Sequence, residues 1–225
     1  MKDGKIRILY VHGYNGSPNG FTGSYLKEQL EKINNIEFFT FNWSLKKFPP
    51  ELIFNRLSVF IYENYIDIVI GNSLGGYWSA GITNIPKVLI NPVLTMEQIP
   101  HITEDNYYND FCIYDKNLWN KYGPQNTKYT WMCSGTMDKV LGTISYNKAE
   151  LLFANTPQLS RNIINGAEHQ LTHEQLNFVI DSGVMQIIQY YPDFRNQINW
   201  ANYFSIKENN KELVSKISES PILDK

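Results

Sequence analysis

Short apolar runs alternate along this chain with segments whose apolar residues recur at helical spacing. Apolar or β-prone runs predict strands at 6–11, 36–41, 68–70, 88–91 and 129–133, and the segment 158–164 is a plausible last strand. The periodic segments predict helices at 22–33, 50–64, 74–83, 143–153 and 172–191. This alternation is typical of an α/β fold in which helices cover both faces of a mostly parallel sheet. In such folds functional side chains gather at the carboxyl ends of the strands.

One serine is bracketed by glycines between a predicted strand and a predicted helix, in the segment Gly71-Asn72-Ser73-Leu74-Gly75. In this setting a sharp strand-to-helix turn strains the serine and lifts its hydroxyl clear of the backbone. Glycines are needed at both ends because a Cβ there would collide with the neighbouring strand or helix. Ser73 is therefore a candidate nucleophile. The same five residues would also fit a glycine turn with a solvated serine.

A turn-rich loop, residues 12–18, follows the first predicted strand and begins His12-Gly13-Tyr14. Acyl transfer needs two hydrogen-bond donors that are aimed at the developing oxyanion. The backbone N–H of Leu74, directly after Ser73, would supply one donor, and the N–H of Tyr14 would supply the other. The loop also fits an ordinary surface turn in which His12 is a packing residue.

A serine nucleophile needs a base, and the base needs an acid that orients it. The four histidines are at positions 12, 101, 169 and 173. His169 follows the last predicted strand, where the base is expected. His173 is the alternative, although its place four residues later is typical of the first turn of a helix.

The acid is expected at the end of the strand that precedes the histidine loop. The predicted strand 129–133 ends in a loop that contains Asp138. Aspartate at such a position also commonly stabilises a turn or caps a helix. The chain order Ser73, Asp138, His169 is the one that this arrangement requires. Asp138 is therefore the candidate acid.

Several motifs together resemble the α/β-hydrolase superfamily, and within it the chain is most similar to the small bacterial YqiA/YcfP-type esterases. The motifs are Val11-His12-Gly13-Tyr14-Asn15-Gly16-Ser17-Pro18, Gly71-Asn72-Ser73-Leu74-Gly75-Gly76, Ile90-Asn91-Pro92, Gly135-Thr136-Met137-Asp138 and Gly166-Ala167-Glu168-His169. The resemblance extends over residues 5–190. It implies an α/β-hydrolase fold with Ser73 as nucleophile, Asp138 as acid and His169 as base. It also implies Tyr14 and Leu74 as oxyanion donors.

Residues 92–126 interrupt the alternation with an insert that is rich in aromatic and acidic side chains. In an α/β-hydrolase fold an insert at this point would lie over the active site as a small cap. Tyr107, Tyr108 and Trp119 are then candidates for lining an acyl or aryl pocket. Alternatively, the aromatic residues of the insert pack into a small core of their own. The polar residues 192–225 are treated as a C-terminal extension of one domain, 1–225.

The composition excludes several other classes of function. A net charge of −2 and a pI near 6.1 give no electrostatic case for nucleic acid. Two cysteines make neither a disulfide framework nor a metal site. No signal peptide is visible, and no apolar run reaches the roughly 20 residues that cross a bilayer. A cytoplasmic protein is expected. Nucleotide-binding and H-E-x-x-H motifs are absent, so neither a cofactor nor a metal is expected.

The sequence therefore predicts a serine hydrolase that cleaves a small-molecule carboxylic ester or thioester, with no nucleic-acid or membrane partner. Two alternatives stay open. One is an acyltransferase with the same triad, in which an alcohol or amine replaces water. The other is a non-catalytic binding protein on the same scaffold, because a fold does not fix a function.

Overall fold

The computed structural model describes residues 3–82, 85–95, 98–99, 129–141, 159–196 and 208. Within these residues six parallel strands form one sheet in the order β2-β1-β3-β4-β5-β6. The strands are β1 (Ile6–Val11), β2 (Ile36–Phe41), β3 (Ile68–Asn72), β4 (Lys87–Ile90), β5 (Thr130–Gly135) and β6 (Leu159–Ile164). The α/β fold that the hydrophobic pattern predicts is confirmed, and so are its six strands.

Helices connect or follow these strands. They are α1 (Phe21–Leu30), α2 (Pro50–Glu63), α3 (Leu74–Ala80), α4 (His173–Val179), α5 (Met185–Tyr190) and α6 (Pro192–Arg195). A π-helical turn, Ile180–Val184, joins α4 to α5. The predicted helix 143–153 lies outside the described residues, as do most of the 92–126 insert and most of the 192–225 extension.

The central strands of the sheet are buried on both faces, and each face has its own hydrophobic core. Side chains of α1, α4 and α5 cover one face, where Ile8 of β1 lies in the core. Side chains of α2 and α3 cover the other face, where the adjacent Leu9 lies in the core. Successive residues of a strand point to opposite faces. The continuous apolar run Ile8–Val11 of β1 is therefore explained by burial on both sides.

Two helices end earlier than their apolar periodicity predicts. α1 ends at Leu30 rather than residue 33, because the chain turns back to enter β2. In that turn Asn35 adopts a φ of 68°, a region that asparagine tolerates better than most residues. α3 ends at Ala80, and the N–H of Gly81 bonds to the Trp78 carbonyl in a tighter final turn.

The strand order changes direction between β1 and β3. β1 lies between β2 and β3, so the chain leaves β1 toward one edge and later returns on the other side. Ligands of open α/β sheets bind outside the carboxyl ends of the strands at such a switch point. The loop that begins at His12 leaves β1 there, and Ser73 follows β3 at the same edge. Among the described residues, no helix combines the length and the apolar character needed to cross a bilayer.

Two leucines of α2 provide a matched test of the second core. Leu57 is completely buried, whereas Leu52 is 41% exposed. We expect Leu57→Ala to lower the free energy of unfolding by about 2–5 kcal/mol, because a cavity adds to the lost apolar burial. Leu52→Ala should cost less than about 1 kcal/mol. Urea denaturation measures both values, and equal losses would contradict this packing of α2.

Candidate active site

Ser73 occupies a strained turn between β3 and α3. Its φ is 54° and its ψ is −121°, a conformation that non-glycine residues rarely adopt. The surrounding backbone holds this conformation from both sides. The Ser73 N–H donates to the Ile90 carbonyl at 2.9 Å, and the Ser73 carbonyl accepts from the Val93 N–H at 3.0 Å. The exit of β4 therefore fixes the serine in the position expected of a nucleophile elbow.

The glycines around Ser73 allow three backbone segments to approach one another. A Cβ on Gly75 would lie 2.1 Å from the Val11 carbonyl oxygen, far inside van der Waals contact. A Cβ on Gly71 would lie 2.7 Å from the Gly75 carbonyl oxygen. A Cβ on Gly13 would lie 2.9 Å from the Cβ of Ser73. The G-x-S-x-G spacing thus brings the start of α3 against the exit of β1.

Ser73, His169 and Asp138 form one hydrogen-bonded chain. The His169 Nε2 lies 2.9 Å from the Ser73 Oγ, and the His169 Nδ1 lies 2.8 Å from Asp138 Oδ2. A carboxylate only accepts hydrogen bonds, so the Nδ1 carries a proton and, in the neutral ring, the Nε2 accepts one. The structure therefore brings together the three residues that the chain order singles out.

Asp138 uses its two carboxylate oxygens for two different purposes. Oδ1 accepts the backbone N–H groups of Val140 and Leu141 at 2.9 and 3.0 Å, which is the turn role common for aspartate. Oδ2 is left for His169. Burial acts to raise the pKa of Asp138, but the hydrogen bonds from His169, Leu141 and Val140 outweigh it and lower that pKa. The carboxyl is therefore ionised at neutral pH.

Tyr14 and Leu74 both lie beside Ser73. Leu74 is the first residue of α3, where a backbone N–H has no partner four residues earlier. The Gly13 carbonyl lies 2.8 Å from the His12 Nδ1 and accepts the Gly16 N–H at 3.1 Å. The Gly13 carbonyl and the Tyr14 N–H belong to the same peptide group, and in a trans peptide the two point in opposite directions. The Tyr14 N–H therefore points away from the His12 ring and from the Gly16 N–H. Both N–H groups remain candidates for an oxyanion site.

His12 packs as the simpler interpretation of its loop predicts, and the same contacts order that loop. Its imidazole stacks on the Trp43 indole with ring centroids 5.1 Å apart. The Trp43 Nε1–H donates to the His12 carbonyl at 3.1 Å. Burial lowers the pKa of His12, so the ring stays neutral. Its Nδ1 faces a carbonyl and therefore carries the proton.

A cleft of about 190 Å³ opens at Ser73 and His169. Aromatic side chains of Tyr10, Tyr14 and Phe21 line it together with polar uncharged groups. Burial raises the pKa of Tyr10 to about 12, so this phenol stays neutral. In the described part of the chain no Asp, Glu, Lys or Arg lines the cleft. An uncharged ligand is therefore the kind that this lining accepts at least cost.

Asn91 lies in the site although no role is predicted for it from the sequence. Its Oδ1 accepts the Gly135 N–H at 2.8 Å, and its Nδ2 donates to the carbonyls of Glu168 and His169 at 3.1 and 2.9 Å. The signal in the sequence is an Asn-Pro pair directly after an apolar strand. Such a pair marks a turn but not a connection between three loops.

His173, the alternative base, lies outside this arrangement. It is the first residue of α4, after a capping box formed by Thr172 and Gln175. Its ring stacks between Phe21 and Tyr25, with centroid distances of 4.6 and 4.2 Å. The structure therefore gives His173 the packing role that its position in the sequence favours.

Some predicted site residues lie outside the described residues. These are the proposed pocket residues Tyr107, Tyr108 and Trp119 of the insert. Among the residues that the structure does describe, no group of three or more His, Cys, Asp or Glu side chains could hold a metal ion.

Comparison with protein families gives one match, over residues 7–180, to UPF0227, which is described as an uncharacterised protein family. The chain belongs to this family. UPF0227 is the family of the YqiA-type proteins, so the resemblance seen in the motifs is confirmed. The family description itself states no activity.

Solved structures with a similar fold include three hydrolase-fold proteins. Est1E from Butyrivibrio proteoclasticus is 14% identical, with a TM-score of 0.62 over 82% of this chain and 89% of that chain. Mouse alpha/beta hydrolase domain-containing protein 10 is 14% identical, with a TM-score of 0.63 over 82% and 90%. The Pyrococcus furiosus esterase Pf2001 is 16% identical, with a TM-score of 0.61 over 83% of both chains. The α/β-hydrolase fold is therefore confirmed.

The lowered pKa of Asp138 predicts a pH-dependent contribution to stability. A carboxyl whose pKa falls on folding stabilises the folded state fully above about pH 5, and this contribution is lost as the pH falls through the folded-state pKa. Asp138→Asn should therefore lower the free energy of unfolding more at pH 6.5 than at pH 3, as urea denaturation would show. Asp193→Asn, at an exposed aspartate, is the matched control. The same loss at both pH values would contradict the prediction.

Proposed function

We propose that this chain is a serine hydrolase that cleaves a neutral carboxylic ester or thioester through an acyl-enzyme on Ser73. The observation that carries the proposal is the hydrogen-bonded chain from Ser73 through His169 to Asp138, with distances of 2.9 and 2.8 Å. It lies at the carboxyl end of a parallel sheet, where such folds bind their ligands.

The protonation states of Ser73, His169 and Asp138 suit general base catalysis. The Asp138 carboxylate holds the proton of the His169 Nδ1, which leaves the Nε2 lone pair directed at the serine hydroxyl. As the Ser73 oxygen attacks the substrate carbonyl, its proton passes to the Nε2. Asp138 then stabilises the imidazolium by the same hydrogen bond. The strained turn places Ser73 on the lining of the cleft, where a bound substrate would meet its hydroxyl.

The two later steps follow from the same groups. The tetrahedral intermediate collapses when the His169 Nε2 proton passes to the leaving alcohol or thiol, and an acyl ester of Ser73 remains. Water then gives a proton to His169 and attacks the acyl carbonyl, which forms a second tetrahedral intermediate. This intermediate collapses as His169 passes the proton to the Ser73 oxygen, which releases the carboxylic acid and restores free Ser73 and a neutral His169. The N–H groups of Tyr14 and Leu74 are proposed to hold the oxyanion in both steps.

The cleft limits the class of substrate within this proposal. Its described lining is aromatic and polar but uncharged, and its volume of about 190 Å³ suits a compact group. A charged acyl group would lose hydration without gaining an ionic partner there. We therefore expect a neutral small-molecule ester or thioester and neither nucleic acid nor a membrane as partner. A cytoplasmic setting belongs to the same proposal.

Two fold neighbours add support, because Est1E is bound to ferulic acid in one solved structure and Pf2001 is named an esterase. The His169 ring is partly accessible, with 25% of its side chain exposed. Water can therefore reach the proposed base. Product analysis with added alcohols or amines distinguishes hydrolysis from acyl transfer.

Loss of Ser73 or His169 should abolish turnover in the folded protein. With p-nitrophenyl acetate as the probe, Ser73→Ala and His169→Ala should each lower kcat/KM by at least about 10³-fold. Each substitution removes one of the two groups between which the catalytic proton is transferred. Initial rates measured at equal concentrations of folded protein test this.

Matched controls come from residues of the same type outside the hydrogen-bonded chain. Ser24→Ala removes an exposed serine of α1, and Ser58→Ala removes a serine of α2 whose Oγ donates to the Phe54 carbonyl. Both variants should keep kcat/KM within about threefold of the wild type, because neither serine lines the cleft. Wild-type turnover by folded Ser73→Ala would end the proposal.

A further inference from the structure

Asn91 joins the loops that carry Asp138 and His169. It follows β4 with a φ of 40°, and only 1% of the residue is exposed. Its Oδ1 accepts the N–H of Gly135, the last residue of β5, three residues before Asp138. Its Nδ2 donates to two consecutive carbonyls, those of Glu168 and His169. One carboxamide therefore ties the ends of two strand-loop connections together.

The backbone on either side of Asn91 holds the third residue of the proposed site. The Ile90 carbonyl accepts the Ser73 N–H at 2.9 Å, and the Val93 N–H donates to the Ser73 carbonyl at 3.0 Å. The Asn91 N–H itself donates to the Cys133 carbonyl of β5 at 2.9 Å. The segment 90–93 is thus hydrogen-bonded to Ser73, to the end of β5 that leads to Asp138, and to the loop that carries His169.

We propose that Asn91 is a positioning residue, whose carboxamide sets the distance and orientation of His169 relative to Ser73. The inference rests on the proposed hydrolase function, because that function makes the Ser73 to His169 geometry matter. Asn91 does not touch the reacting atoms. It acts through the carbonyl of His169 and through the β5 end that leads to Asp138.

The chemistry of these contacts is specific to a carboxamide. One face of the Asn91 side chain meets an N–H donor, and the other meets two carbonyl acceptors. Only a group with an acceptor oxygen and a two-hydrogen donor satisfies all three partners. An aspartate would direct a carboxylate oxygen at two carbonyl oxygens. A leucine would leave a buried N–H and two buried carbonyls without this partner.

The acidic variant also provides a reversible readout. When protonated, the carboxyl of Asn91→Asp can accept from Gly135 and donate one hydrogen bond to a carbonyl. The ratio of its kcat to that of the wild type should therefore rise as the pH falls from 8 toward 5.5. Asn91→Leu has no titrating group, so the same ratio should stay flat for that variant.

Asn162 is a matched control for both substitutions. It is an asparagine of β6 whose Nδ2 donates to the Met132 carbonyl at 3.3 Å and to the Ser160 Oγ at 3.2 Å. It therefore also bonds a side-chain amide to a neighbouring strand, but among the described residues its side-chain hydrogen bonds go to Met132 and Ser160 and not to the loops of Ser73 or His169. Asn162→Asp and Asn162→Leu should keep the wild-type kcat in the folded fraction.

The experiment measures kcat and KM for p-nitrophenyl acetate between pH 5.5 and pH 8. The folded fraction of each variant is determined separately by urea titration. We expect each Asn91 variant to lower kcat by roughly 10²-fold, since a misplacement of about 1 Å can have that effect, while KM changes less than about threefold. A second readout, independent of turnover, is the downfield proton NMR resonance of the His169 Nδ1–H. It should weaken or shift in the Asn91 variants and stay unchanged in the Asn162 variants.

The outcomes distinguish a failure of the positioning role of Asn91 from a failure of the proposed hydrolase function. Folded Asn91→Asp with wild-type kcat and an unchanged resonance, beside an inactive Ser73→Ala, would overturn the positioning role and leave the hydrolase function intact. Equal losses in the Asn91 and Asn162 variants would also overturn it, because the effect would then be general. If neither the wild type nor Ser73→Ala hydrolyses the ester, the proposed function fails. The NMR resonance of the His169 Nδ1–H then decides by itself whether Asn91 positions His169. If Asn91→Leu does not fold, Asn91→Asp carries the test.

Discussion

The backbone of Ser73 can keep its positive φ because hydrogen bonds and tight packing hold it from several sides. Its N–H and carbonyl are both bonded to the exit of β4, at Ile90 and Val93. Gly75 brings α3 within contact of the β1 carbonyls, where no side chain would fit. Strain of this kind persists only where the surroundings over-determine the conformation. The exits of β1, β3 and β4 must therefore stay in register for the site to exist.

The alignment of neighbouring strand ends also explains how loops of very different sequence place Asp138 and His169. The carboxyl ends of adjacent parallel strands meet at one edge of a sheet, so β5 and β6 bring Asp138 and His169 within reach of Ser73. The fine placement then depends on bonds between loops. Asp138 fixes its own turn with one oxygen and orients His169 with the other, so that a local turn and a long-range contact share one side chain.

Much of this arrangement could be predicted from the sequence because it is local or follows from topology. Apolar runs mark the central strands β1 and β3, since burial on both faces leaves Ile8–Val11 and Ile68–Ile70 apolar throughout. The edge strand β6 is less clearly marked, because its sequence Leu-Ser-Arg-Asn-Ile-Ile is half polar. The glycines around Ser73 mark the turn, and the chain order then leaves few candidates for the acid and the base. The role of Asn91 could not be predicted in this way. Its three partners are 44, 77 and 78 residues away, and no local pattern records them.

The helix ends show the same limit. The periodicity of α1 continues to residue 33, but the chain leaves the helix after Leu30 in order to enter β2. Tertiary connections thus override a periodic signal. Asp138 makes both kinds of contact between which the sequence offered a choice, because one carboxylate oxygen forms the turn and the other contacts His169.

The most direct test of an activated serine is covalent labelling of the whole protein with a fluorophosphonate, followed by mass spectrometry of its peptides. If His169 activates Ser73, the wild type should carry one phosphonyl group on Ser73, and folded His169→Ala should remain unlabelled. Folded wild-type protein that stays unlabelled, or that is labelled at another residue, would contradict a nucleophilic Ser73 and favour a non-catalytic binding role for this scaffold.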